Sequence, residues 1–291
     1  MVSSLQELIA PLTEPEFSEM LRTRSLVFRR GSDEKRFETL LDWDAFRRVI
    51  ESDFPADKLL VTRDGEPVLP LIYLERGKLN TKILAKLLDQ GASLIARRLD
   101  RRVPKVEALC LDVRAHIGET TCAAAIATTG RGGALTLHYD PEDLIILQIA
   151  GSKRWTIYDR PVACPVNGMP EQTPPRSEAV FNDILRAGDF LFLPAGHWHH
   201  CENGPDRSLH LVIIIEPPTG WHAVKALQRQ VLAEEMFRMP LTRLGGPGEK
   251  AAYEALLKRR LIEKIEQMSF LRFVTEGENA QAQNKPQTKP E

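Results

Sequence analysis

The apolar positions change their period twice along the chain. Up to about residue 105 they recur at helical spacing. Asp42 is placed to cap a helix carrying Trp43, Phe46, Val49 and Ile50 on one face, and between Lys78 and Leu99 apolar residues repeat at Leu79, Ile83, Leu84, Leu87 and Leu88. Short β-like pieces, Ser25 to Phe28 and Val68 to Leu74, interrupt this region. From about Glu107 to Glu216 the runs become short and β-rich and are separated by Gly, Pro and Asn. They cover Thr121 to Thr128, Leu135 to Tyr139, Leu144 to Ile149, Arg154 to Tyr158, Phe190 to Leu193 and Ser208 to Ile215. Many short strands with frequent turn signals predict a sandwich or barrel. After Pro217 and Pro218 the helical period returns, over roughly Trp221 to Arg238 and Glu249 to Phe273, on either side of the breaker Gly245-Gly246-Pro247-Gly248. The stripe Trp221, Val224, Leu227, Val231 and Leu232 reads as core or as a dimer interface. Residues 276–291, rich in Gln, Asn, Lys and Pro, are expected to be disordered. The expected organisation is a mostly helical supporting region over 1–105, a β core over 106–218, a helical dimerisation region over 219–275, and the tail.

Composition narrows this picture. With 291 residues, 43% hydrophobic and 27% charged, the chain fits one elaborated domain or a core domain with helical additions. The 39 Lys+Arg against 40 Asp+Glu leave a net charge of -1, so no overall basic field exists to hold nucleic acid or an anionic membrane. No apolar run approaches the roughly 20 residues that span a bilayer, and the first residues lack the pattern of a signal peptide. The expectation is a cytoplasmic protein with no membrane contact and no direct nucleic-acid binding. Cys110, Cys122, Cys164 and Cys201 are widely spaced with no CxxC, which argues against a thiolate zinc site or a disulfide framework and for buried free thiols. Gly130-Arg131-Gly132-Gly133 matches none of the phosphate-loop, dinucleotide or nucleophile-elbow spacings.

Candidate chemistry concentrates among the β-rich runs from Thr121 to Ile215, where five of the seven histidines fall: His138, His197, His199, His200 and His210. In His138-Tyr139-Asp140 the first and third side chains share one face of a strand, so one imidazole and one carboxylate can address a single point. Two histidines and a carboxylate make the facial triad of non-haem Fe(II) oxygenases, which requires a third ligand. The run from Gly188 to Asn203, read as Gly, five residues, Pro, one, Gly, two, His, three, Asn, resembles the second cupin motif, and that alignment selects His199 over His197 and His200.

The run from His138 to Trp155, continued through Ala187 to Asn203 and Ser208-Leu209-His210-Leu211, resembles the JmjC-type 2-oxoglutarate oxygenases, in particular the bacterial ribosomal-oxygenase-like branch of the cupin superfamily. Weaker similarity extends upstream through Glu16-Phe17 to Phe28 and Leu40 to Phe46. The resemblance implies an α+β protein with a mainly β core, a double-stranded β-helix of the jelly-roll type, with N-terminal helices and a C-terminal helical appendix. It implies Fe(II) held by His138, Asp140 and His199, O₂ as oxidant, and 2-oxoglutarate as cosubstrate with its distal carboxylate paired to Lys153. A dianionic cosubstrate needs a cation at the end away from the metal, and a buried cation needs such a partner. Thr136 is either a hydroxyl donor near the cosubstrate or a threonine facing a β core. Ser208 and His210 match the family's Ser-x-His, with His210 a partner of the site or an ordinary interior histidine. Trp155 reads as a pocket wall or a packed core aromatic. Two departures stand out: Cys122 to Thr129 are small residues where the family has an Asn and a Tyr, and no winged-helix domain is expected after the appendix.

The expected function is hydroxylation of an amino-acid side chain in a peptide or protein, such as a ribosomal protein or a biosynthetic precursor peptide, by a homodimer. Two rivals use the same triad or fold differently: a cupin metalloenzyme without 2-oxoglutarate, and a non-catalytic cupin that binds a peptide or small molecule.

Overall fold

The computed structural model describes residues 2 and 4–269, apart from 131, 134, 160–161, 171 and 241–244. The tail expected over 276–291 lies outside the described residues. The chain divides into two compact units, Met1–Pro217 and Pro218–Glu291.

The first unit is built on a large antiparallel sheet. Its strands, in chain order among the described residues, are β1 (Val27–Arg29), β2 (Leu59–Arg63), β3 (Glu66–Pro67), β4 (Leu74–Glu75), β5 (Lys78–Leu79), β6 (Ser93–Arg97), β7 (Thr120–Thr128), β8 (Gly132–Gly133), β9 (Asp143–Ala150), β10 (Ser152–Tyr158), β11 (Ala179–Arg186), β12 (Phe190–Leu193), β13 (His199–Asn203) and β14 (Ser208–Glu216). Eight of them form one sheet in the order β1-β12-β9-β14-β7-β6-β2-β3, and four form a second, β11-β10-β13-β8. Alternation along the strands separates two cores. Ile145, Leu147, Leu211 and Ile213 turn to the helix-covered face, while Leu144, Ile146, Ile126 and Val212 meet Trp155, Ile157 and Leu185 of the smaller sheet. The two sheets facing each other make the jelly roll that the family resemblance implied.

The helices of this unit are α1 (Leu5–Ile9), α2 (Glu14–Thr23), α3 (Trp43–Glu51), α4 (Pro70–Tyr73), α5 (Thr81–Asp89) and α6 (Pro104–Ile117). Asp42 caps α3, accepting from Ala45 N at 2.6 Å, and Asn80 caps α5. Three differences from the sequence reading matter for the site. The region before residue 105 is not a helical support alone, because β1, β2, β3 and β6 complete the large sheet. The run to Leu99 breaks at Gly91 (φ 87°), and Ser93–Arg97 turns into a strand paired with β7 through Ile95↔Ile126. Leu135 to Tyr139 forms no strand. His138 alone makes a bridge, exchanging both backbone hydrogen bonds with His199. Val68 to Leu74 likewise gives a helical turn, started by Pro70 at its first position, where a missing N–H costs nothing. Cys110 and Cys122 are buried thiols, whereas Cys164 is exposed and Cys201 half-buried.

The motif residue Asp189 is structural. It is buried and accepts from Gly31 N, Arg186 N and Arg30 Nη1 at 2.8, 2.8 and 2.6 Å, tying β1 to the turn before β12. Gly188, at φ 89°, leaves no room for a side chain, since a Cβ there would stand 2.3 Å from the carbonyl oxygen of Asp33.

The second unit holds α7 (Gly220–Ala233), α8 (Glu235–Arg238) and α9 (Pro247–Gln267). No helix among the described residues is long and apolar enough to cross a membrane. Glu234 clamps the unit, taking a two-pronged bond from Arg260 (both 2.9 Å) and an ion pair from Lys264 at 2.6 Å. These cations hold its carboxyl down to about 2, Arg260 contributing most. A carboxyl depressed in the folded state stabilises above its ordinary value near 4.5 and loses that contribution as pH falls through about 2. Glu234→Gln is therefore expected to lower the melting temperature at pH 7, with the gap from wild type closing as both are titrated from pH 5 towards 2. A gap independent of pH would dismiss the clamp.

Candidate metal centre and cosubstrate pocket

The small residues that β7 presents to the interior, Cys122 and Ala124, leave space between the two sheets. A cavity of about 570 Å³ opens there, walled by Ile95, Ile126, Leu144, Trp155 and Val212. His138, Asp140 and His199 stand on its wall, and their ligand atoms lie within 4.8 Å of one another. His199 Nε2 is 3.4 Å and His138 Nε2 3.9 Å from Asp140 Oδ2.

Backbone carbonyls orient both rings. His138 Nδ1 donates to the carbonyl of Thr136 at 2.7 Å, and His199 Nδ1 donates to that of His197 at 3.0 Å. A carbonyl only accepts, so each ring carries its proton on Nδ1 and turns the Nε2 lone pair towards the carboxylate, as a metal ligand requires. Burial, followed by the neighbouring His138, pushes His199 down to about 4, which keeps it neutral near pH 7. Two nitrogens and a carboxylate oxygen suit Fe(II) and similar divalent metals, and no other cluster of this kind occurs among the described residues. His197 is buried with Nδ1 on the carbonyl of Pro194, and His200 stacks near Tyr158. Neither joins the cluster.

Lys153 is wholly buried on β10, two residues before Trp155 and therefore on the same strand face. Its Nζ donates to Thr128 Oγ1 at 3.0 Å, and Thr128 shares a further bond of 2.8 Å with Ser93. No carboxylate pairs with it among the described residues, and burial holds the amine below its ordinary value. His210 lines the cavity, buried, with Nδ1 unpartnered, and is held well below the usual histidine range by burial and then by Lys153. Trp155 is both wall and core. It stacks on His199 at 5.8 Å between centroids, with Nε1 buried and unpartnered. Ser208 accepts from Gln148 Nε2 at 2.9 Å and does not line the cavity. Thr136 is exposed and lies outside that lining, its carbonyl being the part that serves the site.

Sequence reading did not find Thr128, which accepts from Lys153, or Ser93, which in turn bonds Thr128. Thr128 continues the inward alternation Cys122, Ala124, Ile126, which is a usable signal, whereas Ser93 sits on a strand that read as helix. It also missed the charged mouth, where Asp57, Lys58, Arg97, Arg98, Glu142 and Glu216 gather. Glu142 accepts from Asn167 Nδ2 at 3.2 Å and is pushed up to about 7 by burial and then by Asp140.

A jelly roll whose interior carries a His/Asp/His cluster has the donor set of a divalent-metal site. Residues 106–223 match the JmjC domain family. Among curated proteins it is similar to the bifunctional lysine-specific demethylase and histidyl-hydroxylase NO66 of Drosophila grimshawi, 28% identical over 43% of this chain and 18% of that protein. It is also similar to ribosomal oxygenase 2 of Rattus norvegicus, 28% identical over 36% of this chain and 23% of that protein. The match thus spans about a fifth of these relatives' length. Among solved structures, the ribosomal oxygenase YcfD of Escherichia coli in complex with cobalt and 2-oxoglutarate superposes with a TM-score of 0.56 and 17% identity, over 91% of this chain and 70% of that one. At that identity the likeness is one of fold.

Proposed function

We propose that this chain is an Fe(II)- and 2-oxoglutarate-dependent dioxygenase that hydroxylates an amino-acid side chain within a peptide or protein. The observation that carries this reading is Lys153. A buried ammonium that meets only a threonine hydroxyl among the described residues is costly unless an anion joins it, and it lies on the strand face that leads to the triad. The distal carboxylate of 2-oxoglutarate supplies that anion, and Trp155 Nε1 and His210 Nδ1 are buried polar atoms available to a polar ligand. His138, Asp140 and His199 would hold the iron, three protein ligands leaving positions open for cosubstrate and O₂. When bound, Fe(II) with 2-oxoglutarate and O₂ supplies the oxidising chemistry, cosubstrate decarboxylation coupled to C–H hydroxylation. The chain's own work is to fix both imidazoles through their Nδ1 carbonyl bonds, to neutralise the cosubstrate at Lys153, and to exclude water with Ile95, Ile126, Leu144 and Val212. The polar mouth would receive the substrate, and the hydroxylase and ribosomal-oxygenase names of the relatives favour a protein or peptide, whether a ribosomal protein or a biosynthetic precursor.

The test is Fe(II)-dependent conversion of 2-oxoglutarate to succinate by the purified protein, with one metal ion bound per chain. Metal binding without any 2-oxoglutarate binding would favour a cupin metalloenzyme of another kind, and no metal binding would favour a non-catalytic cupin.

The homodimer through residues 219–275 remains part of the proposal. Its support is the exposed apolar surface of the second unit: Trp221, Val224, Leu232, Ile262 and Ile265 are each between 41% and 54% exposed. Light scattering at micromolar concentration should give a dimer mass, and a monomer mass would refute it.

A further inference from the structure

The loop that carries the first metal ligand is braced by the hairpin at one edge of the large sheet. His138 owes its ring orientation to the carbonyl of Thr136, yet Leu135 to Leu137 belong to no strand. What touches Thr136 is the tip of the β2–β3 hairpin. Asp64 and Gly65 form its two-residue turn, both left-handed at φ 51° and 83°, between the paired residues Arg63 and Glu66. A Cβ on Gly65 would lie 2.5 Å from Thr136 Cγ2, 2.9 Å from Thr136 N and 3.4 Å from the carbonyl carbon of Leu135. The left-handed angle already favours glycine at 65, and the close approach to Thr136 demands it independently.

We propose that Gly65 is a positioning residue for the metal centre: the hairpin tip presses on the backbone of Thr136 and so holds the carbonyl that aims His138. This rests on the triad reading above. A side chain at 65 would push Thr136 away, tilt the His138 ring and loosen one of three ligands, the kind of outer contact whose loss costs about 10–100-fold in metal affinity.

The chain contains its own control. Arg76 and Gly77 make the same left-handed two-residue turn between β4 and β5, at φ 52° and 78°, but a Cβ on Gly77 would meet nothing within 4 Å. Gly65→Ala and Gly77→Ala therefore impose similar backbone strain, and only the first collides with the ligand loop. Co(II) titration, followed through its d–d absorption, should show about tenfold weaker binding and an altered spectrum for Gly65→Ala. Gly77→Ala should bind like wild type even where both melt earlier. Adding Thr136→Ser to Gly65→Ala, which removes the nearest colliding atom, should recover part of the affinity. Thr136→Gly, free of any clash, tests the same brace from the other side if Gly65→Ala does not fold, and is expected to weaken Co(II). Equal affinity and spectra for the Gly65 and Gly77 variants, or unchanged binding in Thr136→Gly, would overturn the brace. A wild type that binds no Co(II) would instead overturn the triad on which it stands.

Discussion

Lys153→Ala is expected to weaken 2-oxoglutarate binding by about two orders of magnitude while the protein still takes up its metal. Removing one partner of a buried ion pair costs about 3–5 kcal/mol, part of it the penalty on the charge left alone. The triad contains no atom of Lys153, so Co(II) affinity measured without cosubstrate should stay close to wild type. A companion effect has the opposite sign. In the ligand-free protein a buried lysine with a depressed titration point makes the folded state hold fewer protons than the unfolded one. Stability then rises with pH as the lysine range is approached, and the penalty is fully present well below it. Lys153→Met, which keeps the volume and drops the charge, should accordingly melt higher than wild type when no cosubstrate is present and gain nothing from adding it. Unchanged 2-oxoglutarate affinity in Lys153→Ala would move the carboxylate site elsewhere.

His199→Ala is expected to abolish tight metal binding and with it all cosubstrate turnover. Of the two imidazoles His199 is the more enclosed, about 3% exposed, and the stack of Trp155 fixes its plane. Asp140→Ala should do the same through loss of the only carboxylate in the cluster. His200→Ala serves as the comparison, since its ring lies outside that cluster and its loss should leave metal affinity near wild type. Retained affinity in His199→Ala together with loss in His200→Ala would show that the motif alignment was set one residue off.

The legible parts of the sequence were those where local spacing and three-dimensional role coincide. His138, Asp140 and His199 could be named because an HxD pair and a Gly/Pro/Gly turn are recognisable at short spacing, and the structure brings the three side chains together. β7, β9, β10, β12 and β14 were legible as short apolar or alternating runs bounded by turn residues. Ser93–Arg97 was not, because Ser-Leu-Ile-Ala-Arg following a helix continues an apolar pattern that either period accepts, and only pairing with β7 decides it. The role of Thr136 was misplaced for a related reason. An HxD motif suggests a strand extending back from it, but the segment makes a single bridge and Thr136 is exposed, so neither of its two readings, hydroxyl donor or threonine facing a β core, describes it. Gly65 could not have been connected to the metal ligand from the sequence at all, since 73 positions separate it from His138 and the link is a backbone contact.

The pairing of β6 with β7 has a consequence for any attempt to work with a fragment. The recognisable family segment begins at residue 106, yet the strand hydrogen-bonded along the outer side of β7 ends at residue 97. A piece cut at the family boundary would leave β7 as a bare margin, nine residues long and almost entirely alanine and other small or apolar side chains, with a row of unsatisfied amides and carbonyls. Such margins recruit strands from neighbouring molecules. It would also lack Ile95 and Arg97 from the wall around the metal cluster. For this protein the inherited module and the unit able to stand alone in water are different lengths of chain, and expression trials should respect the longer one.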